Sequence, residues 1–330
     1  MPRPLVVITD FIRPPLDHEA HVLGELADVV ALEAFSEEAL EGRIERADAI
    51  MVYHFLSIGR STIERLEHCK LIVRCGVGFD NVDGDAARER GIDVANVPDY
   101  GTEEVADSAL AMILAMTRGV AFMNARLQAR QGPWIYEQVR PLDRLRGMAL
   151  GIVGLGRVGT AVALRARALG MDVLFHDPYA VDGLDKALGV GRCETLAEML
   201  PRVRVLSLHC PRSPETSHIV DRRTLALLPP GAFLVNTARG GCVDAGAVLE
   251  AIESGHLRGA ALDVLETEPP PDDDPLIAAW RTPGTAAHDR VIINPHAAFY
   301  SEQGLADMRI KGATNVRRVL EGRPPRNVVN

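Results

Sequence analysis

The sequence predicts an α/β protein built on parallel sheets and divided into two domains. Three observations carry that expectation. Short aliphatic runs alternate with helix-like stretches along the chain, a strand–glycine–helix–strand–acid unit lies near its middle, and its 330 residues exceed the usual single domain.

The central unit is Gly151 to Asp177, GIVGLGRVGTAVALRARALGMDVLFHD. The run Ala149 to Val153 is short and aliphatic, as a strand buried on both faces of a parallel sheet must be. Gly154-Leu155-Gly156-Arg157-Val158-Gly159 follows. In such a GxGxxG the first glycine permits a tight turn, the second lets backbone approach a pyrophosphate, and the third lets the next helix press onto the strand. A helix over Arg157 to Leu169 is expected to place Val158, Val162, Arg165 or Ala166, and Leu169 on one side, while its N-terminal N–H groups and dipole face phosphate. Gly170 ends it. A second strand, Met171 to His176, runs into Asp177, near the offset at which an acid takes the adenosine ribose hydroxyls and repels a 2′-phosphate. The unit therefore predicts NAD, read as NADH in the reducing direction, rather than NADP.

Composition narrows the class. Hydrophobic residues make up 47% and charged residues 25%, ordinary globular usage. A formal net charge of −9 without a Lys/Arg block argues against direct nucleic-acid binding. The start, MPRPLVVITDF, lacks the pattern of a signal peptide. The most apolar long run, Val105 to Met123, holds Asp107 and Arg118, which suits a core or interface helix rather than a membrane span. Five cysteines, Cys69, Cys75, Cys193, Cys210 and Cys242, show neither CxxC nor a zinc spacing. No metal is expected, and reduced thiols in a cytoplasm fit best.

Before the central unit, aliphatic runs at Leu5 to Ile8, Val29 to Leu32, Ala49 to Val52, Leu71 to Val73 and Ile92 to Ala95 predict a small parallel α/β domain. Tyr53 and His54 end one of these strands, where open sheets bind ligands, although a lone Tyr-His pair more often serves packing. Arg74-Cys75-Gly76-Val77-Gly78-Phe79-Asp80 leaves another through two glycines, either as an anion cradle of backbone N–H groups or as a plain turn. Val97 to Thr102 is read as a hinge, with Thr102 as N-cap of a long helix whose Glu103, Glu104 and Asp107 complement its dipole. That helix is apolar on most sides and is expected to be buried between layers or subunits. Residues 118–145, with Trp134 and Tyr136, are a candidate dimer arm or a surface excursion.

After the central unit come four strand-to-loop junctions. These are Val203 to His209 before Cys210-Pro211, Ala232 to Asn236 before Thr237-Ala238-Arg239-Gly240-Gly241, Ala260 to Val264 before Leu265 to Pro269, and Val291 to Asn294 before Pro295-His296. The carboxyl ends of such strands form one crevice. Into it three ionisable residues follow three strands. Arg239, between small residues, presents a planar fork suited to a carboxylate. His296, one of ten histidines, follows a strand and a proline and is the candidate acid/base. Glu268 would bond the second imidazole nitrogen, fix the tautomer and keep the ring protonated for donation to a ketone oxygen.

GLGRVG with HDPY, then NTARGG, ALDVLETEP and NPHAAFYSEQ, resembles the D-isomer-specific 2-hydroxyacid dehydrogenase family over essentially the whole chain. Within it the likeness is greatest to the C-terminal binding protein branch, through GFDN, DPY and HAAFYSEQ. The resemblance implies two Rossmann-like/flavodoxin-like parallel-sheet α/β domains with a cleft between them. Residues 1–100 with 298–330 would bind substrate, and 101–297 would bind NAD. It implies a catalytic set of Arg239, Glu268 and His296. For the cofactor it implies Arg157 and Val158 at the pyrophosphate with Thr102 nearby, Asp177 and Pro178 at the ribose, and Cys210, Pro211 and Thr216 toward the adenine. Thr237, Ala238 and Ala298 would lie toward the nicotinamide, with Asp263 on its carboxamide. For substrate it implies the amides of Val77 and Gly78 on the carboxylate, and Phe299 and Tyr300 beside the pocket.

Three departures stand out. Phe299 replaces that branch's tryptophan, the stretch from Ile277 to Arg290 is longer than usual, and the long tail of the animal corepressors is absent before Asn330. The expectation is an NAD-dependent reductase of a small 2-oxoacid, acting as a homodimer. The alternative is an NAD(H)-sensing interaction protein of the corepressor type with weak or no turnover.

Overall fold

The computed structural model describes residues 3–330. They fall into two compact units, Met1–Gly101 with Tyr300–Asn330, and Thr102–Phe299. Both are parallel α/β sheets, as the sequence predicts.

The smaller unit has strands β1 (Leu5–Ile8), β2 (Asp28–Ala31), β3 (Ala49–Val52), β4 (Leu71–Arg74) and β5 (Asp93–Asn96), in the order β2-β1-β3-β4-β5. All neighbours are parallel. Every residue of β3 and β4 is buried, because helices cover both faces of the sheet's middle. The chain's last helix, Glu302–Leu320, returns to pack on helix Asp17–Leu23 and on β4. Its Arg309 pairs with the fully buried Glu19 at 2.6 Å. Such a buried pair stays charged only because each partner satisfies the other.

The larger unit has β6 (Ala149–Val153), β7 (Asp172–His176), β8 (Gly191–Arg192), β9 (Val205–Leu208), β10 (Ala232–Asn236), β11 (Leu257–Leu262) and β12 (Val291–Ile293). Their order is β12-β11-β10-β9-β6-β7-β8. The chain therefore runs outward from β6 to β8, then restarts at β9 on the other side of β6. That reversal is the switch point at which an open α/β sheet leaves a crevice at its strand ends.

Helix Thr102–Thr117 buries Ala106, Ala109, Met112, Ile113 and Met116, a stripe at spacings of three and four. It lies on helix Arg157–Ala168 and on β10 and β11. The predicted burial between layers is thus met inside the unit. Thr102 is the first residue of this helix rather than its cap, since the turn through Tyr100 and Gly101 already occupies the preceding position. The apolar run does not continue straight to Met123. Gly119, at φ 64°, starts a new helix, Val120–Gln128, bent by 63° from the first. Among the described residues no single helix is long and apolar enough to cross a membrane.

Helix Arg157–Ala168 buries Val162 and Ala166 on that side, while Leu169, just past its end, is 38% exposed and Arg165 is half-buried. Arg165 bonds Asp107 at 2.6 Å and also Glu103, so these acids tie two helices together as well as meeting the dipole of their own. The 277–290 stretch folds into two short helices, Pro275–Arg281 and Ala286–Arg290, whose starts are capped by Asp274 and Thr285.

Candidate active site

In the larger unit the site begins at the end of β6. Gly154 turns the chain at φ 89°, and a Cβ there would meet the backbone of Cys210 at 2.8 Å. A Cβ on Gly159 would stand 2.1 Å from the Gly154 carbonyl oxygen, so the helix sits on the strand only because this residue has none. Gly156 differs. A Cβ on it would meet nothing within 4 Å, and it precedes a helix whose first N–H groups no side chain caps. Open space in front of uncapped N–H groups is what a pyrophosphate requires. Arg157 is exposed there and Val158 half-buried.

Asp177 ends β7 and takes two backbone donors, Leu155 N at 2.8 Å on Oδ2 and Tyr179 N at 2.9 Å on Oδ1. It therefore shapes the glycine turn itself, a role its position in the sequence does not show. Pro178 and Tyr179 beyond it are exposed. Across from them the Thr216 hydroxyl donates to the Pro211 carbonyl at 2.6 Å, closing the loop after Cys210. The Thr237 hydroxyl is buried without a hydrogen-bond partner. An unsatisfied buried hydroxyl costs about 1–3 kcal/mol, and a bound polar group would relieve it. The open Gly156 face, the uncapped helix and this hydroxyl together fit a dinucleotide.

His209, at the end of β9, bonds Ser207 through Nε2 at 2.8 Å, while its Nδ1 is buried without a partner. Burial holds its imidazole down at about 4, against 6.5 unperturbed. The unfolded chain thus binds a proton below pH 6.5 that the folded chain refuses until about pH 4, so stability falls as pH drops through that window. Because the residue is only partly buried as a whole, the loss is set at about 2 kcal/mol. Urea unfolding from pH 7 to pH 4.5 should show it for the wild type and show a smaller loss for His209→Gln. Identical pH profiles would remove His209 as the cause.

Three loops carry the catalytic candidates. After β10, Asn236 is fully buried and folds the next turn by donating to the Arg239 carbonyl at 2.9 Å and accepting from Ala238 N at 3.0 Å. Arg239 then meets the loop after β11 through its neighbour. A Cβ on Gly240 would lie 1.9 Å from the Leu265 carbonyl carbon, so only glycine lets these backbones touch. From that second loop Glu268 accepts the Leu265 N–H at 2.7 Å with one oxygen and bonds His296 Nδ1 at 2.7 Å with the other. His296 holds the left-handed conformation at φ 51°. The strain, about 1 kcal/mol, is offset by its neighbours. His296 N donates to the Asp263 carbonyl at 2.8 Å, and the amides of Ala297 and Ala298 donate to the Asp263 carboxylate at 3.0 Å. Asp263 is almost wholly buried, and burial raises its carboxyl above the usual range while those two amides pull it back. It holds the imidazole turn, a function distinct from the carboxamide contact that the resemblance implies. The Phe299 ring stands edge-on to His296, centroids 6.2 Å apart.

The remaining candidates belong to the smaller unit. Val77 is 44% exposed and Gly78 half-buried, on a loop anchored by Asn96 Nδ2 donating to the Val77 carbonyl at 2.7 Å. Gly76, at φ 154°, runs so close under Arg74 that a Cβ would strike its guanidinium. Tyr53 corrects the expectation drawn from its strand-end position. It is fully buried, with its ring 5.5 Å from Phe11, so the side chain completes the core and does not face outward. Its neighbour His54 is half-buried. Asp10, which the sequence did not single out, holds this strand end by accepting the N–H groups of Tyr53 and Phe55 at 2.8 Å. Tyr300 is 52% exposed and donates to Glu302 at 2.6 Å.

Known proteins resemble this chain in sequence and fold. Residues 110–298 match the pattern of the D-isomer specific 2-hydroxyacid dehydrogenase NAD binding domain. The chain is 36% identical over 326 residues to a D-3-phosphoglycerate dehydrogenase of Methanocaldococcus jannaschii, covering 98% of this chain and 59% of that protein. It is 34% identical to C-terminal-binding protein 1 of Caenorhabditis elegans, covering 99% of this chain and 45% of that protein. It thus spans about half the length of these curated relatives. The solved D-lactate dehydrogenase of Aquifex aeolicus, complexed with NAD and lactic acid, superposes with a TM-score of 0.82 at 29% identity over 96% of both chains. The chain belongs to the D-isomer specific 2-hydroxyacid dehydrogenase family and carries that family's NAD binding domain.

Proposed function

We propose that this protein is an NAD-dependent oxidoreductase that reduces a small 2-oxoacid to the D-2-hydroxyacid. The observation that carries the reading is the Glu268–His296 bond at 2.7 Å, on a loop that touches the Arg239 turn at the switch-point edge of the sheet. Glu268 fixes Nδ1, so the proton to be given is on Nε2 of His296. Arg239 holds the substrate carboxylate as a fork. When bound, the cofactor supplies the hydride for C2, and the His296 proton neutralises the alkoxide that forms. Arg157, Val158 and Thr237 would hold its phosphates and ribose, and Asp177 its adenosine ribose. The larger unit binds cofactor and the smaller one substrate. The lactic acid named with the Aquifex aeolicus enzyme supports a short oxoacid.

NADH oxidation against glyoxylate, pyruvate, hydroxypyruvate and longer oxoacids tests this directly. Turnover of at least one is expected. A silent panel with tight NADH binding would favour the second reading, an NAD(H)-sensing interaction protein, which the likeness to C-terminal-binding protein 1 supports.

Two copies pair through residues 118–145, where Trp134 is 89% exposed, Tyr136 64% and Val120 62%. Large rings left in water gain by burial against a second copy. Light scattering at working concentration should give twice the chain mass, and the mass of one chain would reject the pairing. Five free cysteines support a reducing compartment, the cytoplasm.

A further inference from the structure

Every phenylalanine of the smaller unit stands beyond the end of a strand, and none is buried in its core. Phe11 follows β1, Phe35 follows β2, Phe55 follows β3 and Phe79 follows β4. A phenylalanine ring gains most when it is buried. In this unit aliphatic side chains such as Ile50, Ile72 and Val94 fill the core instead, and the rings are left at the carboxyl edge, where open α/β sheets bind ligands. Three of the four form one row, from strands that neighbour each other in the order β2-β1-β3. The Phe35 and Phe55 rings stack with centroids 6.1 Å apart, Phe55 meets Phe11 edge-on at 5.3 Å, and Phe11 reaches Tyr53 at 5.5 Å. The His54 ring lies 4.6 Å from both Phe11 and Phe55. The row thus runs from the core into water, with Tyr53 fully buried, Phe55 49% exposed and Phe35 68% exposed. Phe79, after the next strand, is 44% exposed.

Backbone bonds fix the row. The Asp10 carboxylate accepts the N–H groups of Tyr53 and Phe55, both at 2.8 Å, and Ala34 N donates to the Thr9 carbonyl at 2.9 Å just before Phe35. Ile12 N donates to the Asp10 carbonyl at 2.7 Å, a three-residue turn that puts Phe11 at φ 67°. A bulky residue in that left-handed region is strained, and strain of this kind gathers at ligand sites. Contacts of the Phe11 ring with Tyr53, His54 and Phe55 hold it there.

We propose that the row formed by Phe11, Phe35, His54 and Phe55 is the subsite for the substrate's side chain, and that the oxoacid is a pyruvate carrying an aryl group on C3. The inference rests on the reading of the smaller unit as the substrate side and names the class of oxoacid that side selects. The phenylalanine rings offer no hydrogen bond, so the group they take is apolar. Rings held on a fixed edge take a flat ring better than a flexible alkyl chain, since stacked and edge-on pairs add to the gain from area alone. Exposed rings also suit a protein partner. The place at three strand ends and the strained turn at Phe11 favour a small ligand over a partner.

The test uses the full chain with NADH and compares turnover of phenylpyruvate, 4-methyl-2-oxopentanoate and pyruvate. Calorimetry with phenylacetate, an aryl acid with no oxo group to reduce, reads the subsite without turnover. For phenylpyruvate kcat/KM is expected to exceed that for pyruvate at least about tenfold, and that for the branched alkyl acid by about two- to tenfold. Phe55→Ala should lower the ratio of phenylpyruvate to pyruvate at least about fivefold. Phe55→Leu, which keeps apolar area and loses the ring, should fall between. Should Phe55→Ala not fold, Phe35→Ala, at the more exposed ring, reads the same ratio. Pyruvate used as well as phenylpyruvate, the alkyl acid used better, or an unchanged ratio in the alanine variant would overturn the aryl subsite and leave the reductase reading standing. A panel silent for all three acids, with phenylacetate bound by the wild type and bound more weakly by the alanine variant, would defeat the reductase reading and keep the subsite. A silent panel with no phenylacetate bound, or with both forms binding it alike, would overturn both and leave the rings to a protein partner.

Discussion

His296→Ala is expected to reduce a 2-oxoacid roughly 10²- to 10⁴-fold more slowly than the wild type, the usual contribution of a positioned general acid. Its NADH affinity should stay within a few fold. The two readouts separate because the imidazole and the phosphate face are built by different means. The ring is held by Glu268 at 2.7 Å and by the Asp263 carbonyl and carboxylate beneath its turn. The phosphate face is made by Gly156 and the start of helix Arg157–Ala168, and neither touches that turn in sequence. Stopped-flow turnover paired with NADH fluorescence measures both. Near-wild-type turnover would strike His296 from the mechanism. A parallel loss of NADH binding would mean the substitution had disturbed the fold, since Ala also loses the ring contact with Phe299.

Arg239→Ala should lower kcat/KM by a factor on the order of 10²–10³, the cost of leaving a bound carboxylate without its hydrogen-bonded cation. Arg239→Lys should recover only part of this, because an ammonium is a point charge without the planar fork. The lysine variant also guards against a trivial explanation. Asn236 fixes the backbone of this turn through the Arg239 carbonyl, which either side chain leaves in place. Unchanged kinetics in the alanine variant would sink the clamp, and full rescue by lysine would reduce its role to general electrostatics.

The sequence was most informative where a single local pattern settles the matter. β6 was legible to the residue, Ala149 to Val153, because a continuous apolar run ends abruptly on a glycine that must turn. β11 was less so. The apolar run points to Ala260 to Val264, yet the strand is Leu257–Leu262, because its ladder with β10 starts upstream and ends before Asp263 turns to hold the 296–298 segment. Tyr53 was misread for a related reason. A position at a strand end shows that the backbone leaves the sheet, but not which way the ring goes, and packing with Phe11 turned it inward.

What the sequence determined unaided is therefore the two parallel α/β sheets and the glycine turn after β6, and it singled out Arg239, Glu268 and His296 as candidates, since each depends on residues adjacent in the chain. Tertiary structure alone decided that Gly240 lets the arginine turn touch the acid's loop and that Asp263 supports the imidazole turn. Those are contacts between the ends of different strands. Which ends become neighbours is set by strand order and by close approach at residues without a Cβ, and both exist only once the sheet has formed.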